Sequence, residues 1–128
     1  MKYIYILIGG SLGTLLRYLS SSWIVGVYPT SNFPWGTFFV NLTGSFVIGL
    51  LAGYNLTNEF NLNLRLFLFT GLLGGFTTYS GYAIETLALI KENNFMVAAT
   101  YIIATTILGL ALAAFGFWIS TMLTGSKV

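Results

Sequence analysis

Apolar residues fill four stretches of the chain, and short polar links separate them. A helix crossing a hydrocarbon layer needs about 20 largely apolar residues, and the pattern predicts such spans over 3–28, 35–54, 62–90 and 95–123. The first ends at Pro29-Thr30-Ser31-Asn32-Phe33-Pro34. Pro34 stands where a first helical turn accepts proline, because no amide donor is needed there. Asn55-Leu56-Thr57-Asn58-Glu59-Phe60-Asn61 reads as a loop, and Lys91-Glu92-Asn93-Asn94 as a tight link. With links this short and no repeat or low-complexity segment, residues 1–128 read as a single domain. The opening Met1-Lys2-Tyr3 runs straight into apolar sequence with no convincing cleavage site, so the first segment is expected to be a retained helix.

The third stretch is unlike the others. It contains Gly71-Leu72-Leu73-Gly74-Gly75-Phe76-Thr77-Thr78-Tyr79-Ser80-Gly81-Tyr82, in which glycines flank paired threonines. Glycine weakens a helix and lets other backbones approach. Main-chain groups freed in hydrocarbon must be satisfied, so a break is tolerable only where it is buried in protein or lines a polar path. The pattern therefore predicts an all-α membrane protein of four transmembrane helices, the third broken at its centre.

Composition sharpens this picture. Of 128 residues, 56% are hydrophobic and 6% charged, against about 25% charged in a typical soluble domain; the mean hydropathy is +0.85. The chain carries 5 Lys and Arg against 3 Asp and Glu, without a basic cluster, so nucleic acid is not implied as a partner. It contains no cysteine and no histidine, which removes disulfides, thiol catalysis and the usual transition-metal ligands. Without paired carboxylates or an activated nucleophile, no enzyme is implied. Both termini fall on one side of four spans, with Lys2, Arg65 and Lys127 there and Lys91 across. The bias is small by the positive-inside rule and leaves insertion in both orientations open.

Small residues recur four apart, at Gly9 and Gly13, Gly71 and Gly75, and Gly109 and Ala113; this spacing lets membrane helices pack closely. Polar residues within spans are costly and face protein or water. They are Arg17, then Thr37, Asn41, Thr43 and Ser45, then Thr77, Thr78 and Ser80, Glu85, and finally Tyr101, Thr105 and Thr106. Thr37 and Asn41 share a helix face, as do Tyr101 and Thr105. A threonine hydroxyl can bond back to its own helix. The Asn41 amide has donors and an acceptor that its helix cannot satisfy, so it is either an interhelical clasp or a ligand for a passing ion. Arg17 either snorkels to an interface or forms an anion-attracting vestibule. Glu85 is either a solvated rim residue or part of a path.

Three stretches together resemble a known family. Gly9-Gly10-Ser11-Leu12-Gly13-Thr14-Leu15-Leu16-Arg17-Tyr18, Pro34-Trp35-Gly36-Thr37-Phe38-Phe39-Val40-Asn41-Leu42-Thr43-Gly44-Ser45-Phe46 and Gly71 to Ser80 are similar, in order and spacing, to the signature stretches of the small fluoride channels, the Fluc or CrcB family. The resemblance covers all four spans. It implies an antiparallel, dual-topology dimer with two narrow pores, formed with an identical or closely related chain in the cell membrane. It also implies a central structural sodium ion held by the main-chain carbonyls of Gly74 and Thr77. Asn41 matches the family's pore-lining asparagine, and Thr37, Tyr101 and Thr105 match its polar track, with Thr78 and Ser80 beside it. Gly109 stands where the family often continues that track with a hydroxyl. Tyr79 and Tyr82 stand where the family has two phenylalanines whose ring edges face the ion.

Fluoride is small, strongly hydrated and a strong acceptor, so a selective path must replace its water with closely placed donors. Aromatic ring edges carry positive potential and serve the same end. The tyrosines keep the edge and add a hydroxyl that could donate to the anion, plug the path or bond elsewhere. The expected function is thus passive export of fluoride through a channel. A non-conducting or half-active subunit of a heterodimeric channel stays open as an alternative. A small multidrug-type exporter would need a titratable carboxylate at mid-helix, whereas Glu85 lies near the end of its span.

Overall fold

The computed structural model describes residues 2–125, and all regular structure among them is helical. Helix α1 runs Lys2–Val27 and α2 runs Trp35–Thr57. Helix α3 covers 62–76 in three continuous parts: an α-helical turn at Leu62–Arg65, a π-helical stretch at Leu66–Leu73 and a last turn at Gly74–Phe76. Helix α4 runs Tyr79–Lys91 and α5 Phe95–Thr124.

Local chemistry explains most ends. Asn61 starts α3 by accepting the Leu64 amide on its side-chain oxygen at 2.9 Å, which satisfies one of the donors a helix start leaves free. Asn93 takes a φ of 60° in the link between α4 and α5, a left-handed conformation that asparagine tolerates better than most residues. Gly125 closes α5 at φ 67°, where a side chain would be strained.

Two features depart from the hydropathy pattern. Helix α2 continues through Asn55, Leu56 and Thr57, three residues into the segment expected to be a loop. Its carbonyls keep helical partners, since the Asn58 amide donates to Tyr54 O at 3.0 Å, while the Asn55 side chain accepts from Phe60 N at 2.9 Å and turns the chain just beyond the helix. The second is the π-helical stretch, whose wider winding sends the Gly74 amide to Phe69 O, five residues back. All of its residues but Thr70 and Gly71 are apolar, so their periodicity carried no sign of the wider winding.

The helices pack mainly as two pairs, α1 beside α3 and α2 beside α5. α1 and α3 run parallel: Gly9 meets Phe67 to Leu72, and Gly13 meets Leu72 and Phe76. Any side chain at Gly13 would collide with Leu72 O, which is how the two backbones come so close. α2 and α5 are long and apolar enough to cross a membrane. On α5, Ile103, Ile107, Leu110 and Leu123 point outward while little of the helix is buried, an apolar exterior that suits lipid or a second protein surface and not water.

Candidate functional site

The chain leaves helical geometry at Thr77 (φ −82°, ψ 156°) and Thr78 (φ −145°, ψ 113°), then re-enters it at Tyr79. Thr77 closes α3 with both its amide, at 3.0 Å, and its hydroxyl, at 2.9 Å, donating to Leu73 O. In an unbroken helix the Thr78 amide would donate to Gly74 O and the Gly81 amide to Thr77 O. Here the Thr78 amide donates to Asn41 Oδ1 at 2.8 Å, and the Gly81 amide to Thr78 Oγ1 at 2.9 Å. The carbonyls of Gly74 and Thr77 thus lose their helical donors to side chains.

Asn41 completes the junction by donating from Nδ2 to Thr78 O at 3.0 Å. This reciprocal pair ties the middle of α2 to the break and makes Asn41 the interhelical clasp. An asparagine amide has two N–H donors, and one is used; Asn41 also lines a cavity of about 410 Å³. The clasp therefore leaves a donor for whatever enters that cavity. Gly44, one turn along α2, lies so close to the break that an added Cβ would collide with Thr77 Cγ2.

The cavity brings Asn41, Thr78, Tyr79, Tyr82 and Thr105 together with Ser45 and Thr106, and Gly74 and Thr77 also reach its wall. Thr105 Oγ1 is buried without a hydrogen-bond partner, an expensive state for a hydroxyl unless a ligand or water satisfies it. The Tyr79 and Tyr82 rings lie 5.7 Å apart, and Tyr82 lies 5.2 Å from Tyr101. Tyr79 is 82% exposed. Ser80 is exposed and reaches Thr78 Oγ1 at 3.3 Å without joining the cavity wall. Arg17 is half-buried on α1 and does not line the cavity.

Thr37 and Tyr101 belong to a separate layer centred on Glu85. Thr37 Oγ1 donates to Glu85 Oε1 at 2.6 Å, and the Tyr101 hydroxyl donates to Oε2 at 2.8 Å. Tyr101 is fully buried, with its ring edge-on to Phe33 at 5.3 Å. Replacing Tyr101 by phenylalanine removes one donor from a part-buried carboxylate and is expected to cost about 1–3 kcal/mol, seen as a lower thermal unfolding midpoint of the purified protein.

Three residues gained weight from the fold. Ser45 follows Asn41 by four and Thr37 by eight, the same helix face, so the spacing already marked it. Its Oγ lies 3.5 Å from where a Gly109 Cβ would stand, supplying from α2 a hydroxyl at the level where α5 has none. Thr106 is adjacent to Thr105. Glu85 could be recognised only once α2 and α5 were placed against it, because both its partners lie on other helices.

Helices with apolar outer faces throughout the described residues, and amide and hydroxyl side chains gathered with apolar ones around a cavity at a helix break, define an integral membrane protein with polar groups at that break. Residues 4–117 match the family described as CrcB-like protein, Camphor Resistance (CrcB), and the chain belongs to that membrane-embedded family. It is 42% identical over 124 residues to the fluoride-specific ion channel FluC of a Thermus thermophilus strain, covering 97% of each chain. It is 41% identical over 125 residues to the fluoride-specific ion channel FluC of a Hydrogenobaculum species, covering 96% of this chain and 100% of that one. The protein of the same description from Campylobacter fetus is 38% identical, with 90% of each covered.

Proposed function

We propose that this protein is a fluoride channel, not an enzyme, which lets the anion leave the cytoplasm down its electrochemical gradient through the cell membrane. The observation that carries the reading is the Asn41–Thr78 clasp: it holds a helix break open beside a cavity that Asn41 and Thr105 line, where the amide N–H left free by the clasp can donate. Fluoride needs donors of this kind to replace its water. The path uses Asn41, Thr78, Thr105 and the edges of Tyr79 and Tyr82, and continues to Thr37 and Tyr101. Ser80 flanks it, and Arg17 serves as an anion-attracting vestibule. No energy source is needed, because hydrogen fluoride enters by diffusion, dissociates inside, and leaves as the anion driven by a negative interior.

The working unit is an antiparallel dimer of four-span single-domain chains inserted in both orientations, with one structural sodium ion between them. The carbonyls of Gly74 and Thr77 suit that ion: both have lost their helical donors, and neutral hard oxygens are what a monovalent cation takes when no carboxylate is at hand. Two from each chain would give four ligands. The ion's chemistry here is to pin the break, while Asn41 and Thr78 hold its geometry.

Liposomes containing only this chain are expected to release fluoride, followed with a fluoride electrode, and to retain chloride. Absence of fluoride release would remove the homodimeric channel. Release restored by a closely related chain would show a subunit of a heterodimer instead, the alternative that the two tyrosines keep in play. Tyr82→Phe, which keeps the ring edge, is expected to conduct at least as well as the parent.

A further inference from the structure

We infer that the pocket at the Glu85 end of the bundle is a binding site for a small monovalent cation, separate from the cavity at the helix break. This second pocket has a volume of about 230 Å³ and is walled by Ser21 of α1, Tyr28 and Asn32 of the link to α2, Trp35 and Thr37 of α2, and Glu85 of α4. No lysine or arginine is among its walls. The Glu85 carboxylate accepts one hydroxyl on each oxygen, and a carboxylate has about four acceptor sites, so half of its capacity remains.

A part-buried carboxylate on an apolar helix is costly unless a positive partner neutralises it. Among the described residues it meets two O–H donors and no cation. The rest of the pocket is suited to supplying one from outside. Ser21, Ser31, Asn32 and Thr37 bring hydroxyl and amide groups to the same pocket as the carboxylate, and the rings of Tyr28, Phe33 and Trp35, which also line it, lie tilted against one another with centroids 4.5–5.5 Å apart. An aromatic ring in such a wall attracts a cation where its face is presented. Ser31 Oγ holds this wall by accepting from Trp35 Nε1 at 3.0 Å and from Phe33 N at 3.1 Å. One negative charge among neutral oxygens matches a singly charged, hard ion; a divalent ion would keep an uncompensated charge in low dielectric. A cation here cancels the negative charge beside Thr37 and Tyr101, yet the site stands on Glu85 and its pocket whether or not fluoride passes.

Thallium(I), a stand-in for sodium or potassium, tests this directly on the purified full chain in lipid nanodiscs. Thallium NMR is expected to show saturable binding that sodium or potassium competes away, and Glu85→Gln is expected to weaken it by roughly tenfold or more. In crystals the anomalous signal is expected beside Glu85, at a position distinct from the Gly74 and Thr77 carbonyls. Unchanged binding in Glu85→Gln, or a signal at the helix break only, would overturn the proposal. Should that variant not fold, the location of the ion in the parent protein decides. Neither readout depends on flux, so an inactive channel that still binds thallium at Glu85 leaves this inference intact.

Discussion

Asn41→Asp is expected to abolish fluoride flux while the protein still folds. The substitution keeps the side chain's size and the oxygen that accepts the Thr78 amide at 2.8 Å. It removes the Nδ2 donor to Thr78 O and sets a carboxylate against that carbonyl and against the cavity. A second negative charge about 4 Å away is opposed by about 4 kcal/mol at an effective dielectric of 20. Entry of an anion should therefore slow by on the order of 100-fold or more, measured as fluoride release from liposomes. Asn41→Leu separates charge from clasp: it breaks both bonds to Thr78 without adding charge, so its loss should show first as lower thermal stability. Normal flux in the Asp variant would take Asn41 out of the path.

How far the sequence reveals this site depends on the range of the interaction involved. The break was legible because its cause is local: Gly74 and Gly75 weaken the turn, and Thr78 caps the next helix through its own side chain, three residues from the amide it binds. The helix bounds at Leu62 and Thr124 fell within one residue of the apolar limits 62 and 123, while their caps, Asn61 and Gly125, were not read from the sequence. Asn41 was legible only as a polar group in need of partners, since the groups that satisfy it lie 37 residues away. Glu85 was weighed by its depth along one helix, which suggested a rim, whereas its environment comes from Thr37, 48 residues before it, and Tyr101, 16 after it. The π-helical winding at Leu66–Leu73 left no trace at all. Where the side chains of a segment are apolar but for a single hydroxyl, here Thr70, a change in the number of residues per turn moves almost no polar group out of place.

Gly44→Ala should be the most damaging single methyl that α2 can receive near the break, and the damage should be reversible from the other side of the contact. An added Cβ collides with Thr77 Cγ2 and lies only 3.4 Å from Phe76 Cδ1. Thr77 cannot swing away freely, because its hydroxyl and its amide are both held by Leu73 O. The clash must therefore shift the break itself, including the Thr77 carbonyl proposed to hold sodium and the Thr78 groups that clasp Asn41. Overpacking of this kind costs about 1–3 kcal/mol, and flux should fall by roughly tenfold or more because the displaced groups are those that shape the path. Thr77→Ala alone should conduct nearly as the parent does, since its contribution is a main-chain oxygen. In Gly44→Ala/Thr77→Ala the offending Cγ2 is gone and the nearest remaining atom of residue 77 is its Cβ, 3.8 Å away, an ordinary contact. The double variant should recover most of the lost stability and flux, a coupling of about 1–2 kcal/mol in a double-mutant cycle. Strict additivity of the two substitutions would show that the close approach of α2 to the break does not set the geometry of the site.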